Sequence, residues 1–305
     1  MSFVSTKQLL KIARNRGYGI GFFTVNTLEM VQAVIESAEE LRSPVVLAPW
    51  QEDVIDTGFG YIESLCMYAI NKSAIPVSLH LDHGTNYEFL AKCMANDYSS
   101  VMIDVSTKPY EENVAITKKV VDLAKILDVS VEGEVGTIAS TWEMSSEEIA
   151  GIKFTDPDEA ERYVKDTGVD FLAVSIGTKS GAFMERPKID FDLLERISRK
   201  IPEVHLVVHG GSSCSVEDVQ RLVKSGVTYM KFGSVVRDAF FRKIDEIRKT
   251  TPYDMLDTRY ILTPAKEAAK EVIKERIRRL GSEGRAADKR DFTCLKSNSY
   301  KRGSF

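Results

Sequence analysis

Short apolar runs alternate with longer amphipathic stretches along most of the chain. The runs Tyr18–Asn26, Pro44–Trp50, Pro76–Asp82, Ser100–Ser106, Ser130–Gly136, Phe171–Thr178, His205–Gly210 and Tyr229–Gly233 are rich in Val, Ile and Leu and close on Gly, Ser, Asp, Asn, Thr or Trp. That pattern predicts strands buried on both faces. Between them, Thr27–Leu41, Asn86–Met94, Glu111–Leu127, Asp158–Lys165, Phe191–Ser198 and Val216–Lys224 repeat apolar residues at helical spacing. Asp156-Pro157 and Ser215 supply helix starts, and Gly168 and Gly226 stand where helices should stop. Eight strand–helix alternations predict a parallel sheet, and eight strands close a (β/α)₈ TIM barrel. A doubly wound open sheet is the alternative, but no GxGxxG follows the first strand.

Two regions lie outside the repeat. Thr137–Lys153 is a long polar loop expected to act as a lid, and Thr263–Leu280 predicts a charged helix beyond the barrel. The expected division is a single α/β barrel domain over residues 1–282 with this helical extension, then a polar, basic, flexible tail over 283–305.

Composition narrows the function. The 305 residues are 43% hydrophobic and 28% charged, with net charge −4, so nucleic acid is not an expected partner. No apolar run is long enough to cross a bilayer, and four scattered cysteines without a CxxC pair read as reduced thiols of a cytoplasmic protein.

Barrel chemistry belongs at the C-terminal strand ends. There the chain places Asp82 and His83, Asp104, Glu132 and Glu134, and His209. Two imidazoles and a carboxylate could hold Zn²⁺, with Asp82 as a proton-transfer group. The bland reading of Asp104, Glu132 and Glu134 is an interior ion-paired with Lys108 or Lys231. The small, donor-rich segments His209-Gly210-Gly211-Ser212-Ser213 and Gly233-Ser234 follow the last two strands, where barrels cradle phosphate; their bland reading is a pair of tight turns.

Together, Pro76–Gly84, Val101–Asp104, Val131–Gly136, Gly168–Asp170 through Gly177-Thr178, and Val208–Ser212 resemble the class II fructose/tagatose-bisphosphate aldolases, from about Ser5 to Ser282. The resemblance implies Zn²⁺ stabilising an enediolate, with His83 and His209 as ligands. It implies Asp82 as the proton-transfer acid, phosphate held by Gly181, Gly210, Ser212, Gly233 and Ser234, and Asn26 facing the substrate. It also implies a homo-oligomer, dimer or tetramer, acting on a small sugar phosphate.

The chain departs from that pattern at four places. The family's Gly-Thr-x-His-Gly is Gly177-Thr178-Lys179-Ser180-Gly181 here, so a third zinc-ligand histidine is replaced by Ser180. A substrate-touching asparagine is Lys231, a substrate-facing serine is Trp50, and of the Gly-Gly-x-Glu-Asp loop only Glu143 remains nearby. A lysine beside the substrate carbonyl could form a Schiff base in place of zinc, with Asp104, Glu132 or Glu134 as acid or base. No metal cofactor is then needed, and transaldolase-type transfer also becomes accessible. The alternatives are a zinc aldolase with altered ligands, a Lys231 that only pairs with Asp104, with a carboxylate neighbour or with substrate phosphate, and a non-catalytic sugar-phosphate-binding or regulatory homologue.

Overall fold

The computed structural model describes residues 2–140, 149, 151–181, 187–255, 257–286 and 292–295. Eight parallel strands close a barrel: β1 (Ile20–Phe23), β2 (Val45–Leu47), β3 (Val77–Gly84), β4 (Ser100–Ile103), β5 (Ser130–Val135), β7 (Phe171–Val174), β9 (His205–Val208) and β10 (Val227–Phe232). Each pairs with its neighbour in the order of the chain, and β1 closes the ring on β10 with Ile20 opposite Tyr229 and Phe22 opposite Lys231. The fold is the expected TIM barrel. All eight apolar runs form its strands, most of them shorter than expected, while β3 continues to Gly84 and β10 begins at Val227. Ala139–Ser140 (β6) and Lys179–Ser180 (β8) make a separate two-stranded parallel ribbon.

The helices between strands are α2 (Leu28–Glu40), α3 (Gln51–Thr57), α4 (Tyr61–Lys72), α5 (Tyr87–Met94), α6 (Tyr110–Leu127), α7 (Pro157–Thr167), α8 (Phe191–Lys200) and α9 (Val216–Lys224). Asp156 accepts from the amides of Asp158 and Glu159, and Ser215 Oγ accepts from the Asp218 amide, so both starts are capped by their side chains. Helices α3, α4 and α10 (Ser234–Thr250), and an N-terminal helix before β1, are additions to the sequence reading. The last helix, α11 (Thr258–Leu280), begins five residues before the expected Thr263, because Asp257 caps it by accepting from the Arg259 amide. Pro264 therefore sits inside the helix instead of opening it.

An N-terminal helix, α1 (Thr6–Arg16), stops the N-terminal mouth of the barrel. Its Leu9, Leu10 and Ala13 join Phe22, Val46, Met102, Phe171, Val207 and Tyr229 in the interior cluster, and Thr6 Oγ1 bonds Ser78, Ser99 and Ser100. A second, larger core lies between strands and helices. Of the segment after residue 282, Gly284 and Ala286 donate to the carbonyls of Leu41 and Arg42, and Cys294 bridges to Val4. Residues 287–291 and 296–305 lie outside the described residues, as do 141–148, which include Glu143 and most of the expected lid. The ends of that loop are tied, since the Thr137 amide donates to Lys153 O at 2.9 Å.

Gly133 in β5 lets α7 approach closely: a Cβ there would meet Tyr163 Oη at 2.7 Å. That hydroxyl is fixed by Thr117 and Asn113. Gly133→Ala is expected to cost about 1–3 kcal/mol through this overpacking, seen as a lower urea midpoint with an unchanged m-value. An unchanged midpoint would show that Tyr163 yields freely.

Candidate active site

The end of the barrel opposite α1 gathers the polar interior, and strand alternation selects the side chains. With Phe22, Val46, Met102 and Tyr229 facing inward, the same parity brings Asp82, Asp104, Glu132, Glu134, His209 and Lys231 to the inside. His83 breaks the parity. It has φ of 45°, and the β3–β4 register slips between Leu81 and Gly84. This left-handed residue and the bulge turn consecutive side chains, Asp82 and His83, toward one cleft.

The cleft holds about 840 Å³, open mouth included, and is lined by Asn26, Trp50, Asp53, His83, Ser180, Lys231 and the small residues of two loops. At its floor the Lys231 ammonium is in an ion-pair contact with Asp82 Oδ2, and the Asp82 carboxylate is fully buried. Lys231 is thus paired neither with Asp104 nor with a surface acid, and Lys108 binds Glu112 on the outside. Burial lowers the Lys231 ammonium to about 7, against the pull of the Asp53 charge.

The histidines stand beside this pair in a hydrogen-bonded chain. His209 Nε2 lies 2.8 Å from Glu132 Oε1, His209 Nδ1 lies 3.1 Å from His83 Nε2, and His83 Nδ1 lies 2.7 Å from Asp104 Oδ2. Burial raises Glu132 to about 8, so near neutral pH it carries a proton. Burial pushes Asp104 upward, but the His83 hydrogen bond and charge and the Ser106 hydrogen bonds together outweigh it and hold the group below its ordinary value. With both imidazoles neutral, Glu132 would donate to His209 Nε2, His209 Nδ1 to His83 Nε2, and His83 Nδ1 to Asp104. Behind Asp104, Ser106 Oγ donates at 3.1 Å to its Oδ1 and lies 2.9 Å from Glu134 Oε1. Burial and the Asp104 charge keep Glu134 well above the ordinary range. Glu134 is therefore a supporting residue one step removed from the cleft.

The donor set fits a divalent cation. Atoms of Asp82, His83 and His209 all lie within 4.8 Å of one another. Two nitrogens on one tetrahedral Zn²⁺, each at about 2.0–2.1 Å, sit roughly 3.3 Å apart, close to the 3.1 Å found here. The far nitrogens meet carboxyl groups, the usual way that metal-ligand imidazoles are oriented. Once Glu132 ionises, His209 donates to it from Nε2 and both facing nitrogens present lone pairs. Asp82 Oδ1 is buried without a hydrogen-bond partner and lies 3.9 Å from His83 Nε2. Ser180, in the family's third-histidine position, lines the same cleft.

The other side of the cleft is built for an anion. Gly210 has φ of 72°, and a Cβ there would meet the Lys179 carbonyl oxygen at 2.4 Å. The short helical turn Gly211–Ser213 follows, held from behind by Arg276 on Ser212 O and Arg279 on Cys214 O. Helix α10 opens at Gly233, which has no side chain to cap it; the Val235 amide donates to Ser212 Oγ at 3.4 Å, and Gly210, Ser212, Gly233 and Ser234 line the cleft wall at this helix N-terminus. Gly181 follows Ser180 with φ of 108° and is not part of that wall.

Three features went unread in the sequence. Asp53 lies in the cleft, where Asn26 Nδ2 donates to it at 3.1 Å, and burial raises it. Arg237 stands one turn into α10, and Thr24 follows β1. All three come from chain just past a barrel strand, a signal available once the rim was known. Trp50 packs edge-on to His83, with ring centroids 6.2 Å apart.

The family model described as fructose-bisphosphate aldolase class-II matches residues 4–285. The chain is 38% identical over 290 residues to a 6-phospho-5-dehydro-2-deoxy-D-gluconate aldolase of Bacillus licheniformis, covering 94% of this chain and 97% of that one. It is 35% identical to a fructose-bisphosphate aldolase of Thermus caldophilus, with 93% and 99% covered. Among solved structures, the YdjI aldolase from Escherichia coli K12 superposes with a TM-score of 0.82 at 29% identity, covering 93% of this chain and 99% of that one.

Glu132 offers a test of the proton assignment. Its folded pKa lies above the ordinary 4.5, so its contribution to stability is full below that value and is lost as pH rises toward about 8. Glu132→Gln keeps a neutral donor to His209 and removes the titration. Urea unfolding at about pH 5 and about pH 8.5 is expected to show a smaller alkaline loss in the variant than in the wild type. An equal loss would contradict the assignment.

Proposed function

The chain belongs to the class II fructose-bisphosphate aldolase family, and on that premise we propose that it makes or breaks a carbon–carbon bond beside the carbonyl of a ketose phosphate, with Lys231 as the amine that bonds the carbonyl carbon. One observation carries the reading: a buried lysine at the cleft floor, in contact with a carboxylate and next to a ready-made anion cradle. The names of the two relatives support the substrate class. Fructose bisphosphate and 6-phospho-5-dehydro-2-deoxy-D-gluconate each contain a ketone next to a phosphorylated carbon, and they differ in the other half. Trp50, Asp53 and Arg237 line the same cleft and are available to that other half.

The steps follow from the groups present. The phosphate sits against Gly210, Ser212, Gly233 and Ser234, which fixes the ketone over Lys231. Asp82 takes the proton from the ammonium, the free amine attacks the carbonyl carbon, and return of that proton to the carbinolamine hydroxyl expels water, leaving an iminium and an ionised Asp82. Asp82 or Asp53 then removes the proton of the hydroxyl on the far carbon. The carbon–carbon bond breaks, and its electron pair enters the iminium as an enamine. Protonation of the enamine carbon and hydrolysis release the three-carbon ketone and restore Lys231. Handing the enamine to a second aldehyde instead would give transaldolase-type transfer. Asp104, Glu132 and Glu134 hold the histidine chain and its protons.

The facing imidazoles favour a second reading, in which His83, His209 and Asp82 hold Zn²⁺. Bound there, the ion would supply Lewis acidity toward the ketone oxygen. Dimeric or tetrameric assembly and a cytoplasmic location belong to the same proposal and rest on family membership.

Borohydride with dihydroxyacetone phosphate is expected to add a reduced three-carbon adduct to Lys231, absent in Lys231→Ala. Only the free amine attacks, so adduct formation should rise roughly tenfold per pH unit below about 7 and level off above it. Absence of any adduct, with cleavage that survives in Lys231→Ala, would retire the Schiff base.

Gly210→Ala should raise KM for the sugar phosphate at least tenfold while the barrel stays folded, because the cradle must deform around the added methyl. An unchanged KM would move the phosphate elsewhere.

A further inference from the structure

Asp82 faces two cation positions. Its Oδ2 touches the Lys231 ammonium, and its buried Oδ1 has no hydrogen-bond partner and lies 3.9 Å from His83 Nε2. An ion held by Asp82, His83 and His209 would bond each at about 2.0–2.2 Å. It would therefore stand within a few ångströms of Lys231, in a place where water screens little and like charges repel strongly. Removal of both cations is equally unfavourable, because Asp82 is fully buried and would lack a counter-charge.

We propose that Lys231 and a divalent cation compete for Asp82, so that the lysine is a built-in antagonist of the metal site between His83 and His209. The loss of an imidazole at position 180 and the gain of an ammonium at position 231 are then one exchange. The site gives up a ligand and supplies its own positive charge. The surrounding groups fit this account. Asp104 and Glu132 orient the imidazoles outside the contested space, while Asp53 and Arg237 line the same cleft as Lys231, and the Asp53 charge acts on the lysine. The competition stands whether or not Lys231 bonds a substrate, and its test contains no ketose.

The test compares the wild type with Lys231→Met in the full chain. Zn²⁺ affinity is read by competition with a chromophoric chelator, and Co²⁺ is read by its visible absorption. Lys231→Met is expected to bind Zn²⁺ at least tenfold more tightly than the wild type, to develop the stronger Co²⁺ spectrum, and to lose the gain when His83→Ala is added. Lys231→Asn, with a smaller neutral side chain, serves in the same way if Lys231→Met does not fold. A gain below tenfold in the folded neutral variant, or one that survives His83→Ala, overturns the proposal.

Discussion

The contact between the Lys231 ammonium and the Asp82 carboxylate is the constraint around which this rim is organised. A buried carboxylate needs a cation, and a buried ammonium needs an anion; removing either leaves the other uncompensated at a cost of about 3–5 kcal/mol. The closed ring meets both needs at once, because β10 and β3 deliver the two groups to one interior layer. The same layer receives His83 and His209, so any positive charge arriving there, from a lysine or from a metal, is answered by the same carboxylate.

Precision elsewhere serves that layer. Asp104 and Glu132 lock the two imidazoles, and Ser106 ties Asp104 back to Glu134. Helix α11 clamps the turn after β9 through Arg276 and Arg279, which fixes the cradle relative to the lysine. The supporting groups behind the cleft thus come from β4 with the loop after it, from β5 and from α11.

Most of the fold was legible because strands buried on both faces leave unmistakable apolar runs, such as Val101-Met102-Ile103 and Leu206-Val207-Val208. Helices α3, α4 and α10 escaped because their starts lack a conventional side-chain cap: Trp50, Gly60 and Gly233 stand at the N-cap positions. The polar residues at alternating positions, such as Glu132 and Glu134, were visible as a cluster. Their pairing was not, since Asp82 on β3 and Lys231 on β10 meet across the barrel interior from strands that are not neighbours in the ring. His83 was found by its place at a strand end beside glycine, not by alternation. Strict alternation points it outward, and only the left-handed backbone and the slipped register bring it in.

Family membership supplies the reaction type, and the four departures concentrate where the chemistry occurs, at Trp50, Ser180, Lys231 and the loop after β5. The anion cradle keeps its glycines and serines. A crystal structure of the protein soaked with dihydroxyacetone phosphate at neutral pH tests the arrangement most directly. The account predicts phosphate against Gly210, Ser212, Gly233 and Ser234, with continuous density from Lys231 Nζ to the ketone carbon. A ligand seated away from that cradle, or a Lys231 side chain turned out of the barrel, would contradict it.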